Sequence, residues 1–398
     1  MGNLYKQKIL LVHNFYNVPG GEDTVFYNEK KMLEDNGHEV IIYTRDNKEI
    51  ENFSLLEKLF YPINSIFSLK TYSEVKKIIL ENQIDIVHVH NTWPLISPSL
   101  YYAAFHSNVS VVQTIHNFRL ICPSATLYHN GKIFEDSLSK GLKSSIKQKV
   151  YKGSLIHTLI SATVLKIHRL IGTYKHVNYI FLTEFNKKKH LELNTDKHTI
   201  IDENKTFIKP NFVNMDRKVI PFDKRKNQFV FVGRLDKLKG IDLLFEAWKE
   251  IKESNLIICG TGPEEETCRK FIKENNLSNV YMLGFVSNVK AIEIIAESRA
   301  LILPTQWYEG FPMTIVESYA VGTPVIGSNI GNVGSLVKDE VSGLDFKFDS
   351  VGSLRKAVMR FEKLNEELLS ANVYKTFIGN YSAKVNYQIL SEIYINAK

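Results

Sequence analysis

Short, nearly unbroken apolar runs recur along the chain, each followed by a longer stretch in which apolar residues return at helical spacing. In the first half these runs are Lys8–His13, His38–Thr44, Asp85–His90, Val109–His116 and Tyr179–Thr183. β-branched runs of this length, separated by helices, predict parallel strands covered on both faces. Between the first two, residues 22–36 read as a helix that Gly37 stops. A second series follows a polar stretch that ends near Gln228: Phe229–Val232, Leu256–Cys259, Val280–Leu283, Ala300–Leu303 and Pro324–Ile326. Residues 351–398 read as helices. The expected fold class is α/β, with two doubly wound Rossmann-like domains facing each other across a cleft. Their expected bounds are 1–207 and 208–375, with a helical tail over 376–398 that packs back toward the N-terminal domain.

Composition narrows the class. The 398 residues are 44% apolar and 23% charged, with 21 Gly and 11 Pro, which excludes collagenous, low-complexity and disordered chains. Cys122, Cys259 and Cys268 form no Cys-x-x-Cys, so neither a disulfide framework nor a zinc ribbon is expected. The run Ile9–Val12 is too short for a signal peptide, and no stretch of 18 uncharged apolar residues exists. A cytoplasmic location is therefore expected. Between Lys140 and Ile200, eleven Lys and one Arg face only Glu184, Glu192 and Asp196, so this window carries +9 while the whole chain carries +7. Such asymmetry points to an anionic partner or to a solvated Lys-rich face.

The densest chemistry lies in PTQWYEGFPMTIVESYAVGTP, residues 304–324. Strand Ala300–Leu303 ends in a loop with Glu309 and Gly310, and Pro312 suits the start of a helix that Gly322 terminates. Free N–H groups and the helix dipole there favour a phosphate. Two Glu at this spacing are common on solvated helices. Here, however, Arg234 and Lys239 follow strand Phe229–Val232, and two cations beside a helix start suit a diphosphate leaving group. Gly260 and Gly262 end a third strand. In the first half, Gly20 and Gly21 follow strand one, and His116-Asn117 end another strand, alongside His13, His88 and His90. These last three, with no Cys or carboxylate at metal-ligand spacing, read as core or acceptor-side residues.

Together, Gly-Arg-x5-Gly at 233–240, Gly-x-Gly-Pro at 260–263 and EGFPMTIVE at 309–317 resemble the retaining glycosyltransferases of family four (glycosyl transferases group 1), which have the two-domain GT-B fold. The resemblance covers nearly the whole chain. It implies that Arg234 and Lys239 bind the donor diphosphate, Glu317 the ribose, and Glu309 with the backbone of Gly310, Phe311, Pro312, Met313 and Thr314 the donor sugar and phosphate. Val286 and Asn288 match positions near the base, Gly21 and Gly262 match glycines of the donor site, and His116 matches a histidine that reaches the donor sugar. Catalytic roles fall to Glu309, His116, Arg234 and Lys239. Related chains often carry Cys-x-x-Cys where this one has Phe134 and Ser137. No Asp-x-Asp occurs, so no metal and no cofactor beyond the nucleotide sugar is expected.

The implied activity is transfer of a sugar from a nucleotide diphosphate donor, UDP favoured, to an acceptor hydroxyl with retention. The acceptor expected is a glycan or a polyprenyl-diphosphate-linked one in bacterial cell-surface polysaccharide synthesis. A nucleotide-sugar epimerase or glycan phosphorylase of the same fold, and a non-catalytic nucleotide-sugar-binding protein, are the alternatives. The absence of Gly-x-Gly-x-x-Gly after strand one disfavours a dehydrogenase, and nucleic acid is not an expected partner. The apolar stretch Ser154–His168, ringed by Lys140, Lys143, Lys147, Lys149, Lys152, Arg169 and Lys175, fits either a buried helix or peripheral attachment to an anionic membrane surface.

Overall fold

A computed structural model describes residues 6–17, 20–215 and 217–398. The chain divides into two compact units. One holds residues up to Leu127, Phe134–Asn211 and Asn386–Lys398, and the other holds Tyr128–Ile133 and Phe212–Val385.

The first unit is built on strands β1 (Lys8–Phe15), β2 (Glu39–Asp46), β3 (Ile86–Val89) and β4 (Ser110–Ile115). A short hairpin, β5 (Tyr128–His129) and β6 (Lys132–Ile133), groups with the second unit. The chain then returns through β7 (Asn178–Phe181) and β8 (Thr206–Ile208). The sheet runs β2-β1-β3-β4-β7-β8, every neighbour parallel. In β1, Ile9 through Val12 are all fully buried, as a run covered on both faces requires.

The second sheet comprises β9 (Gln228–Val232), β10 (Asn255–Cys259), β11 (Val280–Gly284), β12 (Ala300–Leu303), β13 (Val325–Ser328) and β14 (Gly343–Phe346). Its order, β11-β10-β9-β12-β13-β14, is again parallel throughout. Alternate residues serve opposite faces. Phe229, Phe231, Ala300 and Ile302 join one apolar cluster around Trp248, while Val230, Leu301 and Leu303 join another around Tyr319. The ten strands read from the sequence all form, within a residue or two of their expected ends. The edge strands β8 and β14 were not anticipated: Thr-Phe-Ile and Gly-Leu-Asp-Phe are too short to stand out as apolar runs.

Both sheets share one consequence of topology. In each, the first strand sends its chain to one side and a later neighbour sends it to the other, so the crevice between β1 and β3, and that between β9 and β12, open at the carboxyl ends where ligands bind.

Candidate functional site

In the second unit the loops after β9 and β12 are sewn together. Gly240 has a φ of +69°, and a Cβ there would lie 1.8 Å from the carbonyl oxygen of Pro304. No other residue fits so close a crossing. Nearby, the Gln306 N–H donates to the Leu238 carbonyl at 2.8 Å, and the Thr305 hydroxyl donates to the same oxygen at 3.2 Å. This crossing brings Lys239 to Glu309, with Nζ to Oε1 at 2.6 Å. The Thr305 hydroxyl lies 3.1 Å from the same carboxylate oxygen. Glu309 is only 8% exposed, and Asn332 Nδ2 donates to the carbonyls of Glu309 and Gly310 at 2.6 and 2.7 Å. The Glu309–Gly310 turn is thus fixed by Lys239, Thr305 and Asn332, which come from the loops after β9 and β12 and from the helix Gly331–Leu336.

Arg234 stands at the mouth of this arrangement, its side chain 60% exposed and paired with Asp236 at 2.6 Å. Asp236 also accepts the Lys239 N–H at 3.1 Å, closing the turn that leads to Gly240. Both cations read from the sequence therefore have carboxylate partners, and Asp236, Thr305 and Asn332, which the sequence did not single out, hold the candidate residues in place. Asp236 carried a signal, standing between the two cations at cap spacing. Asn332 carried none, since only the fold brings it to the loop.

The helix Met313–Ala320 begins after Pro312, which supplies no side-chain cap, so its first N–H groups, at Met313 and Thr314, face the β12 loop end. Phe311 lies against Tyr381 with ring centroids 6.5 Å apart. Glu317, on this helix, accepts from Asn288 Nδ2 at 3.0 Å, and burial pushes its carboxyl above the usual range against that bond. The far end of the helix is held by the buried Arg225, which donates to the carbonyls of Val321 and Gly322 at 3.4 and 3.0 Å and favours the negative end of the dipole. Val286 packs on the core rather than standing free. Packing within the unit already requires glycine at 260 and 262: a Cβ would meet the Gly233 and Leu235 carbonyl oxygens at 1.9 and 2.3 Å.

In the first unit Gly20 caps, and Gly21 begins, the helix Gly21–Asp35. Glu22 reaches the ends of β3 and β4: Asn91 Nδ2 lies 3.4 Å from its Oε1. Burial, with Asp23 adding to it, lifts Glu22 to about 8 despite a hydrogen bond from Asn117 and the charge of Arg119. The Arg119 guanidinium lies over both the Trp93 and Tyr151 rings, 4.8 and 4.7 Å from their centroids. His116 closes β4 with Nε2 2.9 Å from Nδ1 of His90.

The expectation that no carboxylate groups with His13, His88 and His90 is overturned. Asp23 lies 2.7 Å from His13, while Glu29 lies 3.1 Å from His88 and 3.2 Å from His90. The helix Gly21–Asp35 packs across the strands and delivers both carboxylates, a proximity that chain spacing does not reveal. Glu29, His88 and His90 place their ligand atoms within 4.8 Å of one another. Lys209 Nζ, 2.7 Å from Glu29, supplies the counter-charge that an ion would bring.

The stretch expected to be either buried or interfacial is the helix Leu155–Leu170, and it divides its faces. Thr158, Ser161, Ala162, Val164, Leu165 and His168 are buried, whereas Leu155, Ile156 and Leu159 are exposed. It packs on the helix Leu55–Ile66, whose Leu55, Leu56, Leu59, Phe60 and Ile63 are all more than half exposed. Of the expected ring of cations, Arg169 is turned inward, donating to the Leu120 and Ile121 carbonyls, and Lys140 pairs with Asp136. In the loop where the family resemblance leads one to expect Cys-x-x-Cys, Phe134 is buried and the Ser137 hydroxyl meets that of Ser145 at 2.7 Å. No helix among the described residues is long and apolar enough to cross a membrane.

Two family models match in tandem: glycosyltransferase family 4 over residues 19–154 and glycosyl transferases group 1 over residues 213–376. The chain is 26% identical over 358 residues to the UDP-Gal:alpha-D-GlcNAc-diphosphoundecaprenol alpha-1,3-galactosyltransferase of Escherichia coli, covering 84% of this chain and 81% of that one. A glycosyltransferase structure from Rickettsia africae matches with a TM-score of 0.70 at 20% identity over 98% of both chains. Anabaena HepE in complex with UDP matches with a TM-score of 0.67 at 15% identity over 97% of this chain and 99% of that one. With the paired parallel sheets, the crossed β9 and β12 loops and both family patterns in order, this chain belongs to the family-four, group 1 glycosyltransferases of the GT-B fold.

Proposed function

We propose that the protein transfers a sugar from a UDP-sugar to a hydroxyl of a lipid-linked glycan, with retention and without a metal ion, as a step of bacterial cell-surface polysaccharide synthesis. The observation that carries this reading is the juxtaposition of Lys239, Glu309, Arg234 and the uncapped start of Met313–Ala320 at the carboxyl ends of β9 and β12. Two cations and a helix start neutralise the charge that develops on a departing diphosphate, which is most of what such a catalyst supplies. Glu317 and Asn288 suit the ribose, and the Glu309–Thr314 backbone suits the sugar and its phosphate. Gly21 and Gly262 keep their donor-side assignment, and His116 is assigned a sugar hydroxyl.

In this scheme the bond from the sugar's anomeric carbon to the β-phosphate oxygen breaks while the acceptor oxygen bonds to that carbon from the same face. The acceptor proton passes to the departing phosphate. Glu309, held by Lys239 and Thr305, acts by position and charge rather than as a nucleophile. The E. coli relative's diphosphoundecaprenol acceptor supports a lipid-linked one here, and its UDP-Gal donor, with the UDP bound to HepE, supports a uridine donor.

For the acceptor side, the exposed apolar residues of Leu55–Ile66 and Leu155–Leu170, with Lys58, Lys143, Lys147, Lys149 and Lys152 exposed around them, support attachment to the anionic cytoplasmic leaflet. A thermal-shift screen of nucleotide sugars with and without EDTA tests the donor reading. Stabilisation by a UDP-sugar that EDTA leaves unchanged is expected, and stabilisation that needs Mg²⁺ contradicts the metal-independent part.

A further inference from the structure

His116 is tied into a buried chain of hydrogen bonds. Its Nε2 meets His90 Nδ1 at 2.9 Å, with the ring planes 16° apart, so the proton of one ring can point along the in-plane lone pair of the other. His90 Nε2 meets Glu29 Oε1 at 3.2 Å, and Glu29 Oε2 meets Lys209 Nζ at 2.7 Å. Lys209 Nζ is held further by Asn386 Oδ1 at 3.1 Å. Glu29 and Lys209 are both 0% exposed. Burial alone would raise Glu29, but Lys209, His88 and His90 outweigh it and hold the carboxyl well below its ordinary value.

The direction of every proton in this chain follows from charge balance. Along the chain from His116 to Lys209, one buried carboxylate, Glu29, is matched by one buried ammonium, Lys209, so a further positive charge on either buried ring would be uncompensated by this chain. Neutral His90 must donate from Nε2 to Glu29, because a carboxylate only accepts. Its Nδ1 is then bare and accepts from His116, whose single proton must sit on Nε2. Nδ1 of His116 is left as a lone pair, and no group among the described residues bonds to it.

We propose that Glu29 and His90 are positioning residues that lock His116 in the Nε2–H tautomer, so that it presents Nδ1 as an acceptor to a hydroxyl of the substrate sugar. The sugar contact rests on the glycosyltransferase reading above, whereas the tautomer does not. The arrangement also sets specificity: a hydroxyl can donate to bare Nδ1, while a deoxy or O-methylated sugar at that position cannot.

The test is long-range ¹H–¹⁵N correlation of the imidazoles in the full-length chain labelled with ¹⁵N-histidine, with the His116 signals identified by their loss in His116→Gln. The wild type should show a protonated, pyrrole-type Nε2 and a bare, pyridine-type Nδ1 at neutral pH. His90→Leu should leave His116 a mixture of tautomers. His90→Gln, whose amide accepts and donates at comparable positions, should restore the single tautomer. The KM for the nucleotide sugar should rise ~10-fold in His90→Leu with a smaller change in kcat, the size of one lost hydrogen bond, and His90→Gln should recover most of it. A proton on His116 Nδ1, a doubly protonated ring, or an unchanged tautomer in His90→Leu would overturn the proposal, and the wild-type spectrum decides the first two without any variant. The expected tautomer with a KM indifferent to His90 would overturn the sugar contact alone.

Discussion

Lys239 Nζ and Glu309 Oε1 lie 2.6 Å apart although seventy residues separate them in the chain. The pair exists because Gly240 lets the β9 loop cross the Pro304 carbonyl. The activity is therefore predicted to depend on a residue with no side chain. Gly240→Ala should reduce turnover far more than a surface Gly→Ala change, since its methyl would fall 1.8 Å from that oxygen. Turnover and melting temperature near those of the wild type in this variant would dismiss the crossing as the organising contact.

Arg234→Ala and Lys239→Ala should each lower kcat by about 10²-fold, the scale for removing one preorganised electrostatic donor. The two differ in a second readout. Lys239 also neutralises the mostly buried Glu309, so its loss should lower thermal stability, whereas Arg234, more than half exposed, should leave stability almost unchanged. Steady-state kinetics with parallel melting curves checks both parts.

Glu317→Ala should weaken UDP binding with little effect on kcat, because a ribose hydrogen bond is present in both the ground and transition states. Glu309→Ala should do the reverse. Calorimetric titration with free UDP separates them, and an equal loss of affinity in both variants would show that the two carboxylates do not divide the donor in this way.

Glu22 yields a pH prediction. Its folded value, about 8, lies above its ordinary value of 4.5, so the folded state holds this proton more tightly than the unfolded one. The associated stability is complete below the ordinary carboxylate range and is lost as pH rises to about 8. Glu22→Gln, which mimics the protonated form, should melt like the wild type at pH 5 and above it at pH 9. A difference that is constant across that range would mean the carboxyl ionises normally.

How much of this was legible beforehand depended on whether a signal was local. The apolar runs Ile9–Val12 and Phe229–Val232 announce central strands, and EGFPMTIVE announces a strand-loop-helix with two placed carboxylates. Glu29 and Asp23 look like ordinary polar positions of an amphipathic helix, and only the packing of that helix across β1 and β3 makes them partners of His13, His88 and His90. Asn332 and Arg225, which fix the Glu309 loop and the end of the Glu317 helix, are equally silent in the chain. The helix Leu55–Ile66 was overlooked for a different reason: its exposed Leu55, Leu56, Leu59 and Phe60 look like core until the neighbouring elements are in place.

That exposed face makes the membrane prediction specific. Leu56→Glu with Leu59→Glu and Ile156→Glu should lower co-sedimentation with anionic vesicles at low salt several-fold without lowering UDP affinity. Equal binding of the wild type to anionic and neutral vesicles would remove the electrostatic contribution. Unchanged binding of the triple variant would remove the surface.

Sugar transfer at the Lys239–Glu309 site can be followed by incubating the chain with a panel of UDP-sugars and a polyprenyl-diphosphate-linked glycan in EDTA, with product read by mass spectrometry and its anomeric configuration by NMR. One UDP-sugar should yield an extended glycan with the donor's configuration retained, at a rate about 10²-fold lower in Lys239→Ala. Inverted product, a requirement for added divalent metal, or equal turnover by Lys239→Ala would contradict retaining, metal-independent transfer at this site.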